Sequence, residues 1–175
     1  DYDMTSWRHS CGVVLQDSHV FSESLARNIA VEDKHIDRTR LRIAARQSNL
    51  EEFIEKLPLK YQTMVGAEGV GLSRGQEQRI FIARALYKDP SFVFLDEATN
   101  SLDANNERII TGNLLDFCKG RTVLIVAHRL STIRHADKIV VLHKGRIVEE
   151  GTHDELCARH GYYYELINNQ LIAMG

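Results

Sequence analysis

The sequence predicts an α/β fold in which a mostly parallel sheet has helices on both faces and carries an inserted all-helical subdomain. Residues 91–95 and 122–126 are short segments, apolar on both faces, as is typical of parallel strands covered on each side. Segments with helical spacing of apolar residues separate the predicted strands. The stretch 22–57 is mostly helical and contains no predicted strand, which indicates an insertion into the α/β alternation.

Two further segments extend the set of predicted strands. Residues 13–15 are a weaker strand candidate near the start of the chain. Residues 139–142 continue through Lys144 and Gly145 to residues 146–148, and this pattern predicts a hairpin.

Capping-box spacing predicts where two helices begin. Ser48 and Glu51 precede apolar residues at helical spacing, and Thr152 and Glu155 do the same near the end of the chain. In such a box the first side chain accepts a bond from a helix amide three residues on, and the later side chain returns a bond to the first residue's amide. Both helices are therefore expected to start at these positions.

The composition is that of an ordinary soluble globular protein. Of 175 residues, 43% are hydrophobic and 26% are charged, with a net charge of -2. Nucleic acid is not a predicted partner, because its binders usually carry a strongly basic face. The three cysteines lack metal-ligand spacing and are expected to be reduced thiols. The longest apolar run, residues 123–127, is far shorter than the roughly 20 residues that span a bilayer.

Two acidic residues follow directly on the predicted strand 91–95. Asp96 and Glu97 stand at its carboxyl end, where α/β sheets place their ligands. An aspartate there can hold Mg²⁺, which prefers carboxylate and phosphate oxygens. The adjacent glutamate projects in another direction and can polarise a water molecule. The alternative from these residues alone is a pair of solvated acids at the start of a loop.

A helix that runs to about residue 87 opens with Ser73, Arg74, Gly75 and Gln76. Ser73 and Gln76 have capping-box spacing. A helix N-terminus with glycine in its first turn can bind an anion. A plain helix cap is the alternative interpretation of the same residues.

Two polar residues follow other predicted strands at the same edge of the sheet. His128 comes after strand 122–126, and Gln16 comes after strand 13–15. A single histidine at such a position is more often structural than catalytic, so neither residue decides the function alone.

The order of these motifs resembles the ATPase domain of ABC transporters over essentially the whole chain. Gln16, residues 72–76, residues 96–97, residues 101–103 and His128 are similar to the Q-loop, signature, Walker B, D-loop and H-loop. The sequence is most similar to that of bacterial peptide and bacteriocin exporters, which often carry an N-terminal papain-like peptidase domain.

The resemblance implies a P-loop NTPase-like (RecA-like) sheet with an inserted ABC signature subdomain. Residues 1–21 and 88–175 would form the RecA-like part, and about 22–87 the helical signature subdomain. The sequence contains no match to G-x-x-x-x-G-K-[ST], the motif of the phosphate-binding loop. In the family this loop precedes the Q-loop. The N-terminal part of the domain is therefore expected to be missing, and the fragment alone is expected to be inactive. A second departure is Arg74, where the family's signature usually has glycine.

The resemblance also implies cofactors and roles. Mg-ATP would bind between two head-to-tail copies, with Asp96 and Gln16 at the metal, and with Glu97 activating the attacking water. The remaining implied contacts are His128 at the γ-phosphate, and Ser73, Arg74, Gly75, Gln76 and Asp103 at the nucleotide or the dimer interface.

The implied setting is an exporter's transmembrane domain, at the cytoplasmic face of the bacterial inner membrane. One rival is a non-catalytic module that donates its signature to a partner. A second rival is an ABC ATPase of chromosome maintenance, but it would need long coiled-coil heptads, which the sequence lacks. The cargo is not predicted, because membrane helices outside this chain would select it.

Overall fold

A computed structural model describes residues 3–15, 18–31, 33–126 and 133–173 of the chain. The chain divides into two compact units, Asp1–Val126 and Ala127–Gly175.

Among the described residues of the first unit there are ten elements. In chain order they are α1 (Met4–Ser10), β1 (Cys11–Val14), α2 (Leu25–Ile29), α3 (Arg38–Gln47), α4 (Glu51–Glu55), a 3₁₀ turn (Lys60–Gln62), α5 (Arg74–Lys88), β2 (Phe92–Asp96), α6 (Ala104–Cys118) and β3 (Thr122–Val126). Helices α5 and α6 have 15 residues each. Within the described ranges, no helix is both long and apolar enough to cross a membrane.

The three strands of the first unit form a parallel sheet in the order β1-β2-β3. Val14 is the register partner of Leu95, and Asp96 is the partner of Val126. All three strands therefore end at one edge of the sheet. The predicted α/β class with a parallel sheet is confirmed, although β1 begins earlier than the predicted segment 13–15.

The two faces of this sheet differ in burial. Val14, Val93 and Leu95 are buried in one core with residues of α5 and α6. On the other face Trp7 of α1 packs against Phe92 at a ring distance of 4.8 Å. Three apolar residues on the strands remain exposed there, with exposed fractions of 43% for Val13, 58% for Leu124 and 51% for Val126. The expectation that strand 122–126 is covered on both sides is wrong for the described residues, because Leu124 and Val126 are exposed and the seven-residue α1 contacts this face at Phe92.

The region between β1 and β2 is mainly helical, as predicted for residues 22–57. Its helices share the same core, and the buried side chains with helical spacing include Leu41, Ala44, Ala45, Leu50 and Ile54. Isolated bridges, such as the one between Ser24 and Met64, add a few strand-like pairs. The boundaries 22 and 87 of the helical subdomain stay a prediction.

The predicted capping box at Ser48 and Glu51 is wrong. Ser48 ends α3: its amide donates to Ala44 O at 3.0 Å and its hydroxyl to Ala45 O at 3.2 Å. Asn49 then has a left-handed backbone with φ of 55°. Ser48 has the backbone of a helix C-cap, with φ of -84° and ψ of 6°, and the chain turns at Asn49. Ser48 therefore does not occupy an extended N-cap position, and α4 begins at Glu51 without a side-chain cap.

The second unit contains β4 (Ile139–His143), β5 (Arg146–Gly151), α7 (His153–Ala158) and α8 (Tyr162–Ala173). The predicted hairpin is confirmed, since β4 and β5 pair antiparallel. Lys144 and Gly145 both have positive φ, 49° and 75°, as the tight hairpin turns that match strand twist require. The capping box of Thr152 and Glu155 is also confirmed at the start of α7.

Candidate active site

Two carboxylates mark the edge at which the parallel strands end. Asp96 is the last residue of β2, and the Glu97 amide donates a hydrogen bond to Val126 O at 2.9 Å. Both acidic residues are half-buried. The structure therefore places Asp96 and Glu97 at the sheet edge where the sequence predicted them.

The backbone of Glu97 is in the left-handed region, with φ of 49°. For a residue other than glycine this conformation costs about 1–3 kcal/mol and often marks functional sites. Asn100 stabilises it: its backbone amide donates to Glu97 O at 3.1 Å, and its side-chain amide donates to the Glu97 carboxylate. The strained residue is thus held in a defined position, with its backbone turned away from the line of the strand.

Asp96 fits a Mg²⁺ site that is completed by phosphate. Within the described part of the chain no group of three or more His, Cys, Asp or Glu side chains could hold a metal ion. Protein-bound Mg²⁺ usually keeps several waters and takes one or two carboxylates plus substrate phosphates. A single half-buried aspartate at the edge where the parallel strands end is compatible with that requirement.

The predicted capping box of Ser73 and Gln76 is confirmed at the start of α5. Ser73 Oγ accepts from the Gln76 amide at 3.3 Å, and Gln76 Oε1 accepts from the Ser73 amide at 2.8 Å. A hydroxyl that accepts such a bond keeps its own proton as a donor. The amides of Arg74 and Gly75 lie in the first helical turn, where no intrahelical acceptor exists. The turn therefore presents several donors at the positive end of the helix dipole.

Arg74 and Gly75 have different surroundings in this turn. Arg74 is exposed, so its long side chain extends into solvent. Gly75 is half-buried, and a Cβ atom added to it would lie 3.3 Å from Ser101 O. Space for a side chain is therefore limited at Gly75 and ample at Arg74.

The signature turn, residues 73–76, lies beside the loop that follows Glu97. Besides the close approach of Gly75 and Ser101, the buried Gln78 donates from Nε2 to Ala98 O at 2.8 Å. The two groups of candidate residues predicted from separate motifs are thus connected through residues 98–101.

Sequence reasoning missed Gln78, although the chain contains a signal for it. Gln78 is a polar residue that stands three positions before Phe81 and four positions before Ile82. Both of these apolar residues belong to the buried stripe of α5. A polar residue on a buried helix stripe usually has a hydrogen-bond partner. The identity of that partner, Ala98 O, follows only from the fold.

Asp103 caps the N-terminus of α6. Its Oδ1 accepts from the amides of Asn105 at 3.2 Å and Asn106 at 3.0 Å, and its carboxylate also accepts from the Asn106 side chain. These bonds hold the pKa of Asp103 below its usual value, and the bond from the Asn106 backbone amide contributes most. The structure gives Asp103 a capping role, and its predicted role at the dimer interface stays a prediction.

Gln16 and His128, the remaining predicted site residues, lie outside the described residues. Their assignment rests on the sequence.

Comparison with known proteins gives matches to ATP-binding transport proteins. A family model described as ABC transporter matches residues 1–100. The chain is 48% identical over 160 residues to the toxin RTX-I translocation ATP-binding protein of Actinobacillus pleuropneumoniae, covering 91% of this chain and 23% of that protein. It is 46% identical over 168 residues to an ATP-dependent lipid A-core flippase of Saccharophagus degradans, covering 96% of this chain and 29% of that protein.

A solved structure is similar over most of the chain. It is described as a bacterial Atm1-family ABC exporter with ATP bound, and it superposes with a TM-score of 0.89 at 40% identity. The match covers 95% of this chain and 30% of the exporter chain. The chain thus spans about a quarter of the length of the curated relatives it matches.

Proposed function

Because the chain belongs to the ABC transporter family, we propose that it is the ATP-binding and ATP-hydrolysing part of a membrane exporter. Relatives named for toxin translocation and lipid A-core flipping, and a similar exporter with ATP bound, support this proposal. The proposed partners are a transmembrane domain and a second copy of the ATPase domain in head-to-tail orientation. The proposed location is the cytoplasmic face of the bacterial inner membrane.

One observation carries the proposal. The Asp96 and Glu97 carboxylates at the strand ends are connected, through residues 98–101, to a capped helix N-terminus at Ser73. Carboxylates suit a Mg²⁺ ion and a water molecule, whereas helix amides suit an anion. In a head-to-tail dimer the carboxylates of one copy and the helix N-terminus of the other would face one Mg-ATP, and residues 98–101 would link the two nucleotide sites.

The mechanism assigns a separate task to each carboxylate. Asp96 and Gln16 would hold Mg²⁺, which would supply neutralisation of the phosphate charge. Glu97 orients the attacking water and accepts its proton. The fixed backbone of Glu97, with its contact to Asn100, favours such positioning because phosphoryl transfer depends mainly on alignment and electrostatics. His128 contacts the γ-phosphate.

The signature turn acts on the nucleotide of the partner copy. Ser73 Oγ and the amides of Arg74 and Gly75 donate to the γ-phosphate. Gln76 contributes by holding Ser73 through the capping box. ATP then joins two copies, and hydrolysis releases them.

The cargo is the narrower part of the proposal. Similarity to peptide and bacteriocin exporters favours a peptide or protein cargo, and the relative named for toxin translocation supports it. A papain-like peptidase domain ahead of the membrane spans would accompany such a cargo. Sequencing the parent gene upstream of Asp1 tests this, because a phosphate loop without any peptidase domain would contradict the peptidase link.

The test of the function is Glu97→Gln in the complete transporter. ATP binding should persist, because the amide is nearly isosteric, while turnover should fall by roughly 10²–10⁴, as for a lost general base. Steady-state ATPase assays and nucleotide titration measure the two effects. Asp96→Asn is the matched control, since it should weaken Mg²⁺-dependent binding itself. Parental turnover in Glu97→Gln would show that Glu97 is not the base.

A non-catalytic, signature-donating module is the second candidate. The observation in its favour is that the signature turn is complete in this chain, with both bonds of its capping box formed. A complete parent protein that binds a partner ATPase but shows no ATPase activity with any partner would favour this candidate.

A further inference from the structure

Arg79 connects the signature turn to two other elements. From the second turn of α5 its Nε donates to Gly75 O at 3.2 Å. Its Nη1 donates to Asn49 O at 2.7 Å and to Asn106 Oδ1 at 3.4 Å. One guanidinium therefore bonds to the signature turn, to the residue that follows the end of α3, and to the first turn of α6.

The bonds of Arg79 belong to a larger polar network. Asn49, with its left-handed backbone, donates from Nδ2 to the same Asn106 Oδ1 at 2.7 Å. Asn106 in turn donates from its amide to Asp103 Oδ1 at 3.0 Å. A continuous set of hydrogen bonds thus runs from Gly75 through Arg79 and Asn106 to Asp103.

The chemistry of this position favours arginine over other residues. Burial lowers the pKa of Arg79, and the negative charge of Asp103 opposes that effect. A planar guanidinium donates in several fixed directions at once, whereas an ammonium is a single point charge. Replacement of Arg79 would leave the Asn49 carbonyl without this donor, which is costly for a partly buried group. Gly75 O would lose only the side-chain bond, because it still accepts from a helix amide.

We propose that Arg79 is a positioning residue that holds the signature turn and the Asp103 end of α6 as one rigid piece. The inference rests on the proposed function and deepens it. If the turn binds the nucleotide of the partner copy while Asp103 faces the same interface, both must reach the partner in fixed relative positions. Loss of this alignment should therefore weaken the binding of the nucleotide between the two copies, because part of the binding free energy would be spent on ordering the turn.

The first test compares Arg79→Ala, Arg79→Lys and Asn106→Ala in the complete transporter. Arg79→Ala should raise KM for ATP about tenfold, as expected for partly buried partners left unsatisfied. The kcat should change by less than roughly threefold, because the chemistry at Asp96 and Glu97 is unaltered once the nucleotide is enclosed. Arg79→Lys should recover only part of the loss. An unchanged KM in Arg79→Ala would overturn the inference.

A double-mutant cycle separates positioning from general stability. Arg79→Ala and Asn106→Ala should be non-additive in KM, because they break the same bonded network. Arg84→Ala is the matched control: Arg84 is another half-buried arginine of α5, and it donates to Asn28 O at 2.9 Å. Its effect should add to that of Asn106→Ala. Equal coupling of Arg84 and Arg79 to Asn106 would also overturn the inference.

Hydrogen exchange makes the inference testable even if the proposed function fails. In the 175-residue chain, Arg79→Ala should speed exchange of the Gln76 and Asn106 amides, which are bonded to Ser73 Oγ and Asp103 Oδ1, with no change in α7 of the second unit. A complete transporter without ATPase activity would refute the proposed function alone. Unchanged exchange at these amides would refute the positioning role, whatever the ATPase result.

Discussion

At the residue scale, Arg74 and Gly75 are neighbours with opposite spatial requirements. Arg74 is exposed, whereas a Cβ at Gly75 would approach Ser101 O to 3.3 Å. Arg74→Gly should therefore keep the ATPase activity of the complete transporter within about tenfold, or ~1.4 kcal/mol in the barrier. Gly75→Asp should be far more damaging, because a carboxylate would repel the γ-phosphate. Steady-state ATPase assays over a range of salt concentrations compare the two.

Salt dependence distinguishes the ways in which Arg74 can act. An exposed arginine near a polyanion attracts it through a long-range field that salt screens. The small effect of Arg74→Gly should thus shrink further as the salt concentration rises. If Arg74→Gly abolishes activity as completely as Gly75→Asp, Arg74 is itself a phosphate ligand.

Strand ends were sufficient to predict where Asp96 and Glu97 lie, and capping-box spacing was sufficient to predict that Ser73 begins a helix. The left-handed backbone of Glu97 was not predictable, because no glycine marks the position and its support comes from Asn100. The network of Arg79 was missed for a different reason. Its bond to Asn49 joins residues 30 positions apart in the chain, and such a contact depends on how the helices pack.

At the scale of single elements, two helix caps should make the stability of the chain depend on acid. Hydrogen bonds hold the pKa values of Asp103 and Glu155 below their usual range. The largest contribution comes from the Asn106 backbone amide at Asp103 and from the Thr152 backbone amide at Glu155. Because the folded pKa is the lower one, this stabilisation is complete above the ordinary carboxylate pKa and is lost as the pH falls through the lowered value.

The acid dependence can be measured with one substitution in each unit. Asp103→Asn and Glu155→Gln keep hydrogen-bond acceptors at the caps but cannot titrate. Urea unfolding midpoints of either variant should fall less steeply between about pH 5 and pH 2 than those of the unaltered chain. A variant whose midpoints decline as steeply as those of the parent would show that the caps do not contribute to the acid dependence.

The three predicted capping boxes show what sequence spacing can and cannot determine. Ser73 and Thr152 themselves have extended backbone, which aims their side chains at the amides of the next helix. Ser48 has the same spacing but is still hydrogen-bonded to α3. The spacing alone does not reveal where the preceding helix ends, because a chain reversal at Asn49 with positive φ requires no glycine or proline.

At the scale of the whole molecule, the absence of a phosphate-loop motif limits what the chain can do alone. The triphosphate would lack the backbone amides and the lysine that normally surround it. The 175-residue chain is therefore expected to show negligible ATPase activity and weak binding of Mg-ATP. Calorimetric titration measures the affinity, and a micromolar Kd would contradict the expectation.

The exposed sheet face should make the isolated chain associate with itself. Val13, Leu124 and Val126 form an apolar surface on the strands, and β3 is an edge strand of the described sheet. Exposed apolar patches and unpaired edges both favour association. Leu124→Thr combined with Val126→Thr should reduce it, since threonine keeps the strand propensity but removes apolar area. Light scattering over a range of protein concentrations measures the effect.

Leu59→Thr is the control, because Leu59 is 65% exposed but lies just before the 3₁₀ turn and not on a strand. A parent chain that stays monomeric at high concentration, or an equal effect of the control, would contradict the role of this face.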